Sequence, residues 1–175
     1  MLSEVPSPSA NTSRYNYLSS LDYGNGDKVQ YTYDNKGRTT GYTYEDGDTV
    51  SYTYDNSGNL ATVKDSVTGI TTTYYYDLAD RLMKYVEKGS GYNHSASYAY
   101  DTQNNLTKQT ETINGAVHTS TYEYDDDNRV ISSTTDGVTV SYTYDGFGRV
   151  ATQTTKNGST TILTESYTYK VPTAG

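Results

Sequence analysis

The sequence predicts an all-β fold in which tandem β-hairpins form a twisted antiparallel sheet. Three observations lead to this prediction. A Tyr-x-Tyr-Asp pattern recurs at intervals of 20 to 25 residues, dipeptides typical of tight turns lie between its copies, and apolar and polar residues alternate in the segments that end in it. No apolar stripe of useful length has helical spacing. The expected sheet is a spiralling strip or a segment similar to a β-solenoid.

The repeat is the dominant signal in the chain. Six copies of Tyr-x-Tyr-Asp are each followed by two or three variable residues and then by Arg or Asn, and a seventh copy begins at Tyr167 but reads YTYK. The uneven spacing predicts constant strands joined by loops of variable length. The residues predicted to define the motif are Tyr31, Tyr33, Asp34, Gly37, Arg38, Tyr52, Tyr54, Asp55, Gly58, Tyr74, Tyr76, Asp77, Arg81, Tyr98, Tyr100, Asp101, Tyr122, Tyr124, Asp125, Arg129, Tyr142, Tyr144, Asp145, Gly148 and Arg149.

Each repeat is predicted to contain two strands. In the strand that ends in the sixth copy, Val140, Tyr142 and Tyr144 share one face, while Ser141 and Thr143 leave the other face wettable. Turn signals between the copies supply the positive φ that tight hairpins require. These signals are Gly24-Asn25-Gly26, Asp46-Gly47, Asn114-Gly115, Asp136-Gly137 and Asn157-Gly158. The segment 129–135 is therefore expected to run out, turn at 136–137 and return along 138–144.

The motif itself is predicted to form a turn, because its Asp stands where a strand ends. A carboxylate there can accept the backbone N–H two residues on, as in an Asx-turn. The third residue after the Asp is expected in the left-handed region, which favours Gly and tolerates Asn or Asp. The Arg that follows is expected to offset the acidic charge and to lay its guanidinium over a Tyr ring. We interpret these positions as architectural. The expected left-handed residues are Gly37, Gly58, Asp80, Asn104, Asn128 and Gly148.

The composition limits the kind of core and the kind of partner. Tyrosine supplies 22 residues against one Phe and no Trp, so tyrosine rings are expected to replace an aliphatic core and to spread burial thinly along the sheet. The net charge of −8 argues against nucleic acid as a partner. The absence of cysteine excludes disulfides and thiolate metal sites. No segment is long and apolar enough for a membrane span, and no cofactor is expected.

Candidate chemistry is sparse, and no constellation supports an enzyme. His94 and His118 lie at or near predicted hairpin turns without metal-ligand spacing, so surface histidines without a catalytic role are favoured. The acidic stretches 125–128 and 45–48 could offer oxygen ligands to Ca²⁺, but neither has the spacing of a calcium loop. Solvated turn acids are the favoured interpretation. Tyrosine faces flanked by hydroxyl and amide groups also suit sugar surfaces, although core tyrosines are favoured for most of them.

The ends of the chain are expected to differ from the repeats. Residues 1–13 contain Pro6 and Pro8 without the basic and apolar regions of a signal peptide, and we interpret them as a linker or an expression remnant. The repeats are assigned to residues 14–170 and a tail to 171–175. The strands near Tyr15 and Tyr17 and from Thr160 to Tyr169 show no polar capping element, so their edges are expected to pair with other repeats or other copies.

The repeated motif resembles the YD repeat, also called the RHS repeat, and Tyr144-Asp145…Gly148-Arg149-Val150 matches its signature most closely. The resemblance covers about residues 14–169. It implies a spiralling β-sheet of the kind found in bacterial RHS and wall-associated toxins, in the C components of insecticidal toxin complexes and in teneurins. In that family the strip usually closes into a hollow shell.

The sequence departs from the complete family pattern, because it lacks a DPxGL-type segment and a toxin domain after Gly175. About seven hairpins are too few to close a large shell, so a segment of a longer protein or a self-associating module is expected. The resemblance implies a structural scaffold of an extracellular or cell-surface bacterial protein, as shell wall, stalk or filament, with neighbouring repeats or copies as partners. The alternative is an adhesion module that binds carbohydrate or a cell-surface protein.

Overall fold

The computed structural model describes residues 17–24 and 27–170, and within them all regular structure is β. The strands follow one another in the sheet in chain order, and the pairings described are antiparallel. This confirms the predicted fold class. The strands are β1 (Ser20–Asp22), β2 (Lys28–Tyr33), β3 (Thr39–Tyr44), β4 (Thr49–Tyr54), β5 (Leu60–Asp65), β6 (Thr71–Tyr76), β7 (Leu82–Gly89), β8 (Tyr92–Tyr100), β9 (Leu106–Ile113), β10 (Ala116–Tyr124), β11 (Val130–Thr135), β12 (Val138–Tyr144), β13 (Val150–Asn157) and β14 (Thr160–Ser166).

The chain divides into two compact units. The first contains the residues up to Tyr74 together with Glu87–Tyr92, and the second contains Tyr75–Val86 and the residues from Asn93 on. In both units, strands that end in the motif alternate with strands that begin directly after its Arg or Asn. The described residues include no helix of the length and apolar character needed to cross a membrane.

Most of the predicted hairpin turns lie where the dipeptides place them. Asn114-Gly115 and Asp136-Gly137 have positive φ at both residues, as a tight hairpin of this twist requires. The prediction for Asn157-Gly158 was displaced by one residue: Asn157 pairs with Thr160 at the end of β13, and Gly158 opens the turn at φ 54°. The two residues of this turn are Gly158, which has positive φ, and Ser159, which does not. Because the turn starts at the glycine, Asn157 remains paired in the strand. Asn25 and Gly26 lie outside the described residues.

A β-bulge follows the motif turn, and the sequence did not predict it. Tyr54 pairs with Leu60, but Tyr52 pairs with Val63, so Ala61 is the extra residue in β5. The bulge places a second apolar residue on the tyrosine face three positions after the first, where strict alternation would have placed a threonine. Equivalent register shifts occur before Tyr33, Tyr100, Tyr124 and Tyr144.

Burial in the sheet is thin, as the composition predicts. The buried apolar side chains among the described residues are Val29, Val50 and Ala96, at 6%, 8% and 1% exposure, and the motif tyrosines are mostly half-buried. The opposite face carries threonine pairs whose hydroxyls bond across strands, such as Thr143 with Thr152 at 2.6 Å. The few buried apolar side chains are thus aliphatic, and the tyrosine rings add partial burial along the sheet.

Candidate functional site

The motif carboxylate is the centre of each turn. In the fifth copy, Oδ1 of Asp125 accepts the backbone N–H of Asp127 at 3.0 Å and that of Arg129 at 2.9 Å. The first of these bonds is the Asx-turn expected from the sequence; the second, four residues on, was not expected. The backbone N–H of Asp125 also donates to the carbonyl of Arg129 at 3.0 Å, which closes the turn. The same pair of Oδ1 bonds recurs at Asp34, Asp77, Asp101 and Asp145.

The second copy shows a variation of this pattern. Oδ1 of Asp55 accepts the N–H groups of Gly58 and Asn59, both at 2.8 Å, three and four residues on. The residue three after the Asp has positive φ in all six copies, as predicted, and these angles range from 58° at Asp80 to 102° at Gly58. A left-handed residue at this position turns the chain so that the next N–H points back at the carboxylate.

The second carboxylate oxygen binds the arginine of its own motif. Nε of Arg129 donates to Oδ2 of Asp125 at 2.8 Å, and Nη2 lies 2.7 Å from the same oxygen. These hydrogen bonds hold the pKa of Asp125 below its usual value, with the Arg129 side chain as the largest cause. The pKa of Asp145 is lowered in the same way by Arg149. In the fourth copy Asn105 replaces arginine, and its Nδ2 donates to Oδ2 of Asp101 at 3.0 Å.

The arginine also covers the second tyrosine of the following copy. The guanidinium carbon of Arg129 lies 4.6 Å from the ring centroid of Tyr144, within the range of a cation–π contact. The hydroxyl of Tyr144 donates to the carbonyl of Val130, the residue directly after that arginine, at 2.6 Å. Sequence reasoning expected the stacking but not that the ring belongs to the next copy. The other arginine–tyrosine pairs are Arg38 with Tyr54, Arg81 with Tyr100 and Arg149 with Tyr169.

Where the following copy has an asparagine at its left-handed position, this residue also joins the contact. Nη1 of Arg81 donates to Oδ1 of Asn104 at 2.8 Å and to the carbonyl of Asp101 at 3.2 Å. Nδ2 of Asn105 donates to Oδ1 of Asn128 at 2.8 Å. Gly58 offers no side chain, and Nη1 of Arg38 is buried without a hydrogen-bond partner among the described residues. The left-handed residue thus helps to satisfy the preceding arginine.

Tyr17 occupies the arginine position at the start of the described array. Its ring stacks on Tyr33 at 4.8 Å and covers Gly37, while the hydroxyl of Tyr33 donates to the carbonyl of Leu18 at 2.8 Å. Leu18 precedes Tyr33 by 15 residues, and Thr39 precedes Tyr54 by the same distance and accepts the same bond. This spacing was the signal that could have revealed Tyr17. Tyr15 lies outside the described residues.

The two histidines each contact a carboxylate in the second unit. Nδ1 of His118 lies 2.6 Å from Oδ2 of Asp136, and its side chain is 53% exposed, as expected for a surface histidine. This bond raises the pKa of His118 and lowers the pKa of Asp136. His94 was wrongly expected at the surface: its side chain is 13% exposed, 2.8 Å from Glu111. It is the third residue of β8, near the turn at Gly91, as expected.

Other candidate sites show little convergence of chemistry. One carboxylate of each acidic stretch caps its own turn: Asp125 as described above, and Asp46, whose Oδ1 accepts the N–H of Asp48 at 3.1 Å. Within residues 17–24 and 27–170, no group of three or more His, Asp or Glu side chains is placed to hold a metal ion. The first unit has an open trough of about 410 Å³ on its tyrosine face. It is lined by Tyr31, Thr39, Tyr42, Tyr52, Tyr54 and Leu60.

Comparison with known protein families identifies the repeat. The RHS Repeat family matches residues 33–68, 100–137 and 124–160, which together make up more than half of the chain. The chain belongs to the RHS repeat family. The third copy of the RHS motif, Asp77 to Arg81, lies outside the matched segments and still shows the turn geometry of the others. A search of curated proteins found no match.

Solved structures share the fold of this RHS repeat chain. The crystal structure of TcdB2-TccC3 is 18% identical, with a TM-score of 0.67 over 81% of this chain, and TcdB2-TccC3-TEV is 19% identical, with a TM-score of 0.66 over 81%. TcdB2-TccC3-Cdc42 is 19% identical, with a TM-score of 0.62 over 77%. This chain spans only 8 to 9% of the length of those chains. At these identities the similarity concerns the fold.

Proposed function

We propose that this chain is a structural scaffold: part of the shell wall, stalk or filament of an extracellular or exported bacterial RHS repeat protein, without catalysis of its own. In this proposal residues 14–170 are the repeats, between a linker and a tail. The observation that carries it is the direction of the motif contacts. Each Asp of the motif bonds within its own turn, and the contacts described for the motif arginines and for the second tyrosines run within one copy or between neighbouring copies.

The chemistry of the contacts supports a mechanical role. Asp125 uses both carboxylate oxygens within its turn, and Arg129 is divided between that carboxylate and the ring of Tyr144. A catalytic acid or base needs a proton-transfer partner in a substrate and a pKa near the working pH. The lowered pKa of Asp125 instead keeps it charged and bound to its neighbours. We infer that the motif fixes the shape of each turn and the spacing of the next.

The proposal is tested in the source bacterium with an antibody raised against this chain. Culture medium, intact cells and cytosol are probed on immunoblots, with a cytosolic enzyme as the leakage control. We expect the antigen outside the cytosol. An antigen confined to the cytosol would overturn the proposed export, and enzymatic turnover by the purified chain would overturn the scaffold.

A carbohydrate-binding module is the second candidate, and the tyrosine trough of the first unit is the observation that favours it. The ring centroids of Tyr31 and Tyr42 are 6.1 Å apart, and those of Tyr42 and Tyr52 are 6.2 Å apart. Aromatic walls with hydroxyl donors are typical of small-ligand sites of this volume. Glycan-array binding that is lost in Tyr42→Ala would support this function. The control is Tyr75→Ala, which removes an exposed tyrosine outside the trough and should keep the binding. An array without signal would exclude it for the glycans tested.

A further inference from the structure

The strand β14 has one paired side and one side that no strand covers within residues 17–24 and 27–170. It pairs with β13, for example Gln153 with Glu165, and it is the last strand of the described sheet. All its residues except Glu165 are exposed. Unpaired N–H and C=O groups along such an edge can bind another strand.

The segment from β14 to Tyr169 belongs to the strands that end in the motif. Tyr167 donates its N–H to the carbonyl of Ala151 at 2.9 Å, so pairing with β13 continues beyond Ser166. Tyr169 donates its hydroxyl to the carbonyl of Val150 at 2.8 Å and lies under Arg149. The strand expected from Thr160 to Tyr169 ends at Ser166 as a regular strand. Tyr167 and Tyr169 nevertheless hold the positions of the two motif tyrosines. In the interior of the sheet, a strand that ends in the motif pairs on its other side with a strand that begins directly after the motif Arg or Asn, as β2 pairs with β3. We call the latter a strand of the post-arginine kind.

The strand β1 is of the post-arginine kind. Leu18 accepts the hydroxyl of Tyr33 as Thr39 accepts that of Tyr54. Ser20 pairs with Gln30 in β2, which matches the pairing of Gly41 with Ser51 in β4. The strand β1 therefore presents, on its other side, the edge that β3 presents to β2.

The side chains at the two edges also match. Lys170 follows Tyr169 at the position that Asp34 holds after Tyr33, and Tyr17 holds the position of Arg38. An arginine at position 17 would repel Lys170, whereas a tyrosine offers a ring face that attracts the ammonium group. At the junction, Lys170 therefore replaces the motif Asp and Tyr17 replaces the motif Arg, and these two side chains attract each other as the usual pair does.

We propose that β14 of one molecule pairs with β1 of a second copy of this chain, antiparallel and head to tail. This inference rests on the scaffold function. The register at the junction is expected to match that between β2 and β3, where Thr32 pairs with Gly41 and Tyr33 pairs with Thr39. Thr168 of one copy lies opposite Ser20 of the next, and Tyr169 lies opposite Leu18. Two different surfaces meet, so each added copy presents a new β14 edge until the array closes into a ring, and assembly increases with protein concentration.

The register is tested with cysteine pairs, because the chain has no cysteine of its own. The double variant Thr168→Cys/Ser20→Cys is treated at high concentration with a short bifunctional thiol crosslinker. We expect a ladder of covalent multimers on denaturing gels. An equimolar mixture of the two single variants should stop at the dimer. Thr160→Cys/Ser20→Cys is the control, since residue 160 lies at the far end of β14.

The alternative outcomes are distinct. Dimers of Thr168→Cys alone would show that like edges meet, and a double variant without multimers would show that these edges do not pair; either result overturns the proposal. In the crosslinkable background, Tyr17→Arg should lower the multimer yield at least severalfold, and adding Lys170→Asp should restore it. Equal yields in all three overturn the register. Thermal melts verify that each variant is folded, and the immunoblots test the scaffold function independently.

Discussion

The carboxylate of the motif concentrates several weak bonds on one side chain. Its Oδ1 holds two backbone N–H groups and its Oδ2 holds a guanidinium, so one short side chain fixes a five-residue turn. Charge-assisted hydrogen bonds of this kind are stronger than neutral ones. Because Asp is short, it reaches its own backbone without the entropy cost of a long side chain. The turn therefore depends on this residue more than on its acidic neighbours.

Asp125 and Asp126 provide a matched comparison. Asp125→Ala should lower the midpoint of thermal unfolding, because three N–H donors of the turn lose their acceptor. Asp126→Ala removes the same charge from an exposed position of the same turn and should leave the midpoint unchanged. Differential scanning calorimetry at pH 7 decides between the two, and equal midpoints would contradict the role assigned to Asp125.

The left-handed position can be tested at Gly148. Its φ is 77°, and an added Cβ would lie 3.4 Å from Nη1 of Arg129. Gly148→Val should cost at least about 1–2 kcal/mol of the free energy of unfolding, and more than Gly158→Ala, because β-branched residues tolerate positive φ poorly. Gly148→Asn should be mild, since Asn104 holds the same position and accepts from Arg81.

The control for backbone strain is Gly146→Val in the same turn. Gly146 does not have positive φ, and an added Cβ meets no atom within 4 Å. Urea unfolding curves of the variants give the free energies. A Gly146→Val loss as large as that of Gly148→Val would assign the effect to bulk rather than to the left-handed backbone.

Between neighbouring hairpins, the arginine and the tyrosine form the recurring link. The ring of Tyr144 is held from above by Arg129 and at its hydroxyl by the carbonyl of Val130. Each link joins one copy to the next, so the stability of the array is expected to be a sum of repeat and nearest-neighbour contributions. Loss of one link should weaken the two hairpins that it joins.

The hydroxyl contribution of this link is measured with Tyr144→Phe. The variant keeps the ring under Arg129 but loses the 2.6 Å bond to Val130, and it should cost about 0.5–1.5 kcal/mol of unfolding free energy. Tyr142→Phe is the control, because the hydroxyl of Tyr142 makes no hydrogen bond within the described part of the chain. Denaturant titration gives both values, and a loss at Tyr142 equal to that at Tyr144 would contradict the proposed link.

The sequence predicted what local chemistry determines. The Asx-turns, the positive φ of Asn128 and the alternating burial along β4 depend on residues within one turn or strand. The partner of Arg129 depends on the bulge and on the register between strands, which no single repeat encodes. The role of Tyr17 was not predicted, because it covers the ring of Tyr33 from the position of a motif arginine but has a different side chain.

Across the molecule, the turns make stability depend on pH in two ranges. The pKa values of Asp34, Asp125 and Asp145 are lowered by hydrogen bonds from the following arginines, so their contribution is present above the ordinary value of 3.8 and is lost as pH falls through the lower folded pKa. The pKa of His118 is raised by Asp136, so its contribution is complete below 6.5 and is lost as pH rises through the folded pKa.

The unfolding midpoint should therefore fall below about pH 4 and also decline from pH 6 to pH 8. His118→Gln should flatten the neutral decline and leave the acid limb unchanged. Melting curves at half-unit steps of pH test both ranges. A His118→Gln profile identical to that of the parent chain would contradict the role assigned to the bond with Asp136.

The link from one copy to the next also determines how genes for such arrays can change length. If the segment 130–149 were deleted, Arg129 would directly precede Val150, whose carbonyl already accepts from Tyr169. The arginine would then cover Tyr169 as Arg149 does now. Recombination between repeats in phase with this boundary would shorten or lengthen the protein while every junction keeps its contacts. Recombination in any other phase would separate an arginine from its ring, so selection should favour repeat counts that change by whole units.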